Sequence, residues 1–349
     1  MSAFLAPAAA FAAALVLVAS LGTVALVMRA AHRGERDRAR RELADLAGHL
    51  AALLEGRAAP ADVAAAAAAA DPVVFWTALE GLAPTRRQWC TLSRALARCP
   101  QPRAERAALR DDSPWRRELA ARRLALLDGR ATRRALRAAL RRGPELVALA
   151  AATALARARD AAALCWVLEH SGALAHRTPR ARVELLRAWG RAALPVLAER
   201  FEREAGDTAM DRALAEALGL GRHRPARATL ERRLADRDAE VRAACARALG
   251  RIADAGALPA LARALSDEAW PVRAMSAWAL GRIGESAALP ALAPRLTDPA
   301  WWVRRHAAWA LAALGEQGRA ELTRIAGGSP DPYARDMARA ALEHRAGAA

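Results

Sequence analysis

The chain contains no lysine; all 54 of its basic residues are arginine. That absence excludes a phosphate loop of the GxxxxGK[ST] kind, which depends on its lysine. Aromatics amount to only 4%, with a single tyrosine, and β-branched residues are thin, so the types that favour strands are missing. Four cysteines (Cys90, Cys99, Cys165, Cys245) lie far apart without CxxC spacing. They form neither a zinc signature nor a disulfide framework, which leaves free thiols. Seven histidines show no HExxH or other ligand spacing, and no Ser/His/Asp or Cys/His grouping is visible. The sequence therefore predicts no catalytic residue, no metal and no cofactor.

What the chain has in abundance is Ala, Leu, Arg and Glu, all strong helix formers, so an all-α protein is expected. Its formal charge is +17. Such an excess suits anionic partners, either an acidic lipid surface or nucleic acid, and equally suits a solvated arginine-rich exterior.

Residues 1–28 carry no charged side chain. A helix of that length exceeds the roughly 20 residues that cross a bilayer, so a transmembrane anchor is expected there. No basic stretch precedes the apolar one, as a cleaved signal peptide would require. Arg29, Arg33, Arg36, Arg38, Arg40 and Arg41 follow, against Glu35 and Asp37. The positive-inside rule then puts the N-terminus outside and the remainder in the cytoplasm, a single-pass protein of the cell's inner (plasma) membrane. Residues 29–57 read as a basic juxtamembrane amphipathic helix. Its stripe of Leu43, Leu46, Leu50 and Leu53 would pack on the next domain or form a short coiled coil. The Ala-rich stretch 58–72 reads as a spacer that buries little, and residues 73–349 as the main domain.

That domain repeats. Ala-Leu recurs at 217, 248, 279, 310 and 341, a constant step of 31 residues. Val241-Arg242, Val272-Arg273 and Val303-Arg304 keep the same step, with Ala334-Arg335 as a weaker copy. Upstream, Leu124, Leu155 and Leu186 also step by 31. About eight units would fill residues 80 to 345. Each reads as two helices: one through "WWVRRHAAWALAAL", with Asp298 as its cap and Pro299 at its first position, and one through "LPALARAL". Two short helices cannot bury their apolar faces alone, and stacking them gives an α-solenoid. The pattern from Asp267 to Leu296, "DxxxxVRxxAxxALGRI…ALPAL…L", resembles the HEAT-like repeat of the phycobilin-lyase type. That resemblance implies the fold and says little about chemistry, because such repeats serve scaffolds, lyases, hydroxylases and DNA glycosylases. HEAT-fold di-iron hydroxylases carry His-Glu pairs; here Glu169-His170 and Glu343-His344 run in the opposite order.

Asp236, Asp267 and Asp298, matched in step with Arg242, Arg273 and Arg304, predict a ladder of ion pairs. Trp270 and Trp301, like Trp278 and Trp309, recur at one register and read as core or inter-repeat positions. Trp302 answers to Pro271 and is the candidate for an exposed contact. Arg232, Arg233, Arg263 and Arg295 share positions on the second helices, expected to line a concave face, and complete the candidate partner-binding set. The function expected is a membrane-anchored, non-catalytic scaffold that binds a partner protein. The rivals are a nucleic-acid-binding protein resembling HEAT-fold alkylpurine glycosylases and a lyase-type accessory enzyme.

Overall fold

The computed structural model describes residues 35–170, 178–203 and 206–346. Within them are twenty α-helices, with short 3-10 turns between, and no strand. The expected anchor at 1–28 lies outside the described residues. Among the described residues, no helix is long and apolar enough to cross a membrane. The chain divides into two compact units at Ala154 and Leu155.

The first unit holds α1 (35–54), α2 (Pro60–Ala69), α3 (Pro72–Glu80), α4 (Arg86–Leu96), α5 (Pro100–Ala108), α6 (Pro114–Leu124) and α7 (Arg130–Arg142). The next helix, α8 (Glu145–Arg157), runs through the division. Local chemistry starts several of these helices. Thr85 and Gln88 form a reciprocal capping box at α4, and Ser113 caps α6 with Pro114 behind it. Leu46, Leu50 and Leu53 of α1 are buried in one core with Phe75, Trp76, Leu92 and Leu96. The leucine stripe thus packs on the folded unit. The stretch expected as a spacer is corrected: it forms α2, and Val63 and Ala67 are fully buried in the same core. A small side chain lets helices approach closely, so an alanine run can serve as an interface. The buried amide of Gln101 donates to the carbonyls of Ala67 and Ala70, both at 3.0 Å, satisfying the end of α2.

The second unit continues with α9 (Ala161–Glu169), α10 (Pro179–Ala188), α11 (Leu194–Glu202), α12 (Thr208–Leu220) and α13 (Arg227–Arg232). Then follow α14 (Ala239–Ile252), α15 (Leu258–Ala264), α16 (Trp270–Ile283), α17 (Leu289–Leu292), α18 (Trp301–Ala313), α19 (Glu316–Gly328) and α20 (Pro332–Ala346). The long first helices α12, α14, α16, α18 and α20 pack each against the next, the stacking of a solenoid. Val303, Ala307, Ala310, Leu311 and Leu314 form the buried face of α18, as the spacing predicts. Glycine sets how closely the helices approach. A Cβ on Gly250 would stand 2.7 Å from Ala279 Cα, and one on Gly281 2.7 Å from Ala310 Cα.

Left-handed residues recur at Arg159, Gly190, Arg222, Ala253, Gly284 and Gly315. Each step is 31 residues except that from Gly190 to Arg222, which is 32. The buried leucines Leu155, Leu186, Leu218, Leu249, Leu280 and Leu311 follow the same rhythm. One inserted residue therefore joins the upstream repeats to the downstream ones.

Candidate functional site

The loops that open α14, α16 and α18 share one construction. Asp236, Asp267 and Asp298 accept, at Oδ1, the N–H groups of Asp238, Ala269 and Ala300, each at 2.9 Å. These bonds close a turn ahead of the helix. The expectation that Asp298 caps α18 directly is corrected: the cap position is Ala300, and α18 begins at Trp301. The aspartates are drawn instead to arginines of the preceding unit. Arg242 gives Nε and Nη2 to Asp267, both at 2.8 Å, and Arg273 does the same to Asp298 at 2.8 and 2.9 Å. The ladder expected from sequence exists at these two rungs, in bidentate form. Burial works against the Asp298 carboxylate, but Arg273 and the Ala300 amide outweigh it and hold the pKa below the usual range.

One register earlier the signs are inverted. Asp211 stands 31 residues before Arg242 and is buried. Arg233 answers it at 2.7 Å, binds Asp236 at 2.6 Å, and donates to the Phe201 carbonyl at 3.0 Å. Arg233 is only 6% exposed, and its guanidinium lies 4.5 Å from the Phe201 ring centre. The expectation that Arg233 presents charge on a surface is therefore corrected: the buried Asp211 and the half-buried Asp236 hold it inside. Burial raises the pKa of Asp236, yet the Asp238 amide and Arg233 together bring it below the ordinary value. Cys245 is wholly buried nearby, and burial pushes its thiol far up, leaving it inert.

The other predicted arginines differ in exposure and partner. Arg232 is exposed, pairs with Glu202 at 2.8 Å, and lines a cavity of about 360 Å³ with Arg233, Asp211 and Asp236. Arg263 is exposed on α15. Arg295, half-buried in the 3-10 turn after α17, donates to Ser266 Oγ at 3.2 Å.

The tryptophans divide by place. Trp278 and Trp309 are half-buried, and Trp278 reaches the α14 backbone at Gly250, an inter-repeat role as expected. Trp270 and Trp301 depart from the core expectation: they are 47% and 45% exposed. Each is the first residue of its helix, beyond the stacked faces. Trp302, as expected, is exposed at 48%, and Tyr333, one step further on, at 65%. Around them charge and rings interleave. Trp301 and Trp302 meet edge to face at 4.7 Å, and Trp302 stacks on His306 at 6.2 Å. The Arg305 guanidinium lies 5.4, 5.8 and 5.1 Å from the rings of Trp301, Trp302 and Trp309. Burial, then the Arg305 charge, lowers the His306 pKa, so this imidazole is neutral at pH 7. A guanidinium stacked on indole keeps its in-plane N–H groups for an oxyanion. Sequence reasoning named Trp302 and missed Trp301, Arg305 and Tyr333. The signal available was Tyr333, exactly one period after Trp302.

Among the described residues, no group of three His, Cys, Asp or Glu side chains could hold a metal ion. No curated protein matches the chain. Among solved structures, the chain is similar to the CpcE–CpcF phycocyanin lyase complex of Nostoc sp., at 23% identity and a TM-score of 0.35, over 43% of this chain and 98% of that one. It is also similar to Kap95p from its complex with RanGDP, at 13% identity and a TM-score of 0.49, over 80% of this chain and 49% of Kap95p. A designed armadillo repeat protein in complex with the peptide (KR)4 matches at 19% identity and a TM-score of 0.39, over 54% of this chain and 97% of that one. A family model for HEAT repeats matches residues 194–278 and 261–343, so the greater part of the second unit is built of HEAT repeats.

Proposed function

We propose that this chain is a non-catalytic scaffold that binds a partner protein on the second unit and is held at a membrane by residues 1–28. The exposed row of Trp270, Trp301, Trp302 and Tyr333 carries the reading. Covering about 100 Å² on each such ring is worth about 2.5 kcal/mol, which a solvent-facing row forgoes. Trp, Tyr and Arg are also the side chains that anchor protein interfaces most strongly. The anchor rests on the uncharged N-terminal run and the arginines after it. With α1 packed into the first unit, the anchor would join a folded domain directly.

The test is a pull-down of the full chain from detergent-solubilised native membranes, washed at low and high salt, with protein and nucleic acid both quantified. A stoichiometric protein that survives high salt, and is lost from the Trp301→Ala/Trp302→Ala variant, is the expected result. Nucleic acid retained only at low salt would replace this reading with the nucleic-acid one, since phosphate contacts release counterions. Carbonate extraction of the full chain, compared with a chain beginning at Glu35, tests the anchor: only the former should stay with the membrane.

A further inference from the structure

The ladder's clamp recurs at Arg304 without the carboxylate that completes the two rungs before it. Arg304 occupies the register of Arg242 and Arg273, and the same clamp of two carbonyls, Asp298 at 2.8 Å and Pro299 at 3.2 Å, fixes its Nη1. In the two filled rungs, Nε and Nη2 then grip an aspartate of the following unit. The residue due to answer Arg304, 31 after Asp298, is Ser329. Ser329 retains the turn, its Oγ accepting the Asp331 N–H at 3.3 Å, and its carbonyl clamps Arg335 at 2.7 Å. The loop therefore keeps the ladder's form and lacks its carboxylate. Arg304 Nε is buried with no acceptor, and among the described residues no carboxylate pairs with Arg304 or with Arg305 beside it. A buried donor without a partner costs free energy, so an arriving acceptor gains by filling it.

We propose that Arg304 is a seat for an aspartate or glutamate carboxylate brought by an acidic segment of the partner protein. This rests on the scaffold reading and names the chemistry of its contact. The filled rungs identify the occupant: a carboxylate gripped bidentately, two residues ahead of a polypeptide turn. The surroundings fit the rest of such a segment. Tyr333 lies 5.2 Å from the Arg304 guanidinium, and the Trp301–Trp302 pair flanks Arg305, giving apolar walls and a second cation. The net charge of +17 draws an acidic segment to the surface.

The probe is the fluorescein-labelled peptide LSDEAWPVRA, which is residues 265–274 of this chain and fills the Arg242 rung natively. Its binding to the full chain in detergent is followed by anisotropy. Saturable binding is expected, weakened about tenfold by Asp→Asn in the peptide, by Arg304→Gln, and by Ser329→Asp, whose carboxylate would close the seat from within. Ser329→Asp should also raise Tm, which shows that this variant folds, while Ser329→Asn should leave both measurements unchanged. No saturable binding, or binding indifferent to Asp→Asn and to Ser329→Asp, overturns the seat. A native partner captured equally by wild type and Ser329→Asp would sink the seat and leave the scaffold reading standing. A chain that captures no protein partner sinks the scaffold reading, while the peptide titration still decides the seat.

Discussion

Replacing Arg233 by Met should be among the most damaging single changes in the second unit. The side chain is 6% exposed and binds Asp211, Asp236 and the Phe201 carbonyl at 2.6 to 3.0 Å. Its removal leaves the buried Asp211 carboxylate with only Arg200, 3.9 Å away, and takes the cation from the half-buried Asp236. Breaking a buried ion pair from one side costs about 3–5 kcal/mol. For a unit of this size each kcal/mol moves Tm by about 2–4 °C, so a loss near 4 kcal/mol lowers Tm by about 8–16 °C. Removing all three charges, as Asp211→Leu/Arg233→Met/Asp236→Asn, should recover most of that loss, because Asn can still accept the Asp238 N–H. The pH dependence supplies a second reading. Asp236 has a depressed pKa in the fold, so its contribution is fully present above its unfolded value of about 3.9 and is lost as pH falls through the lower folded value. Arg233→Met removes the arginine's share of that contribution, leaving the share of the Asp238 amide, and should partly flatten the acid limb of stability between pH 5 and pH 2, roughly the window over which such a carboxylate titrates. Thermal melts followed by circular dichroism at several pH values measure both. A single variant as stable as wild type, or a triple variant no better than the single, would refute the buried-network argument.

Glycine substitutions should differ in sign by place. Gly281→Ala drives a Cβ to within 2.7 Å of the Ala310 backbone and should cost about 1–3 kcal/mol by urea denaturation. Gly48→Ala, exposed in the middle of α1 with nothing within 4 Å, should gain about 0.5–1 kcal/mol. Arg273→Gln should weaken the acid limb governed by Asp298, since that carboxylate is also depressed in the fold and loses its stabilising role as pH falls. Thiol titration of the native chain should label exposed Cys165 readily, and label Cys99 and Cys245 only after denaturation, because burial raises both of their pKa values. Fast labelling of Cys245 in the native chain would contradict its place in the core.

The sequence by itself determined the period, the helical class and the residue types at each register. These are local, repeated properties: Leu218, Leu249, Leu280 and Leu311 must face inward because every unit meets the same kind of neighbour. It also determined that Asp and Arg would be matched along the stack. Only the tertiary structure decided how they pair. Arg242 reaches Asp267 of the next unit, and Asp236 is left to Arg233, because the first helices stack closely enough at their glycines for adjacent loops to touch. The same packing put an alanine-rich run into the core, where its lack of bulk is what the interface needs. It also left Trp270, Trp301, Trp302 and Tyr333 outside the stack. Register places a residue on a helix, and the ends of neighbouring helices decide whether anything covers it. For the same reason a serine at position 329, unremarkable in the sequence, became legible only against the two aspartate rungs before it.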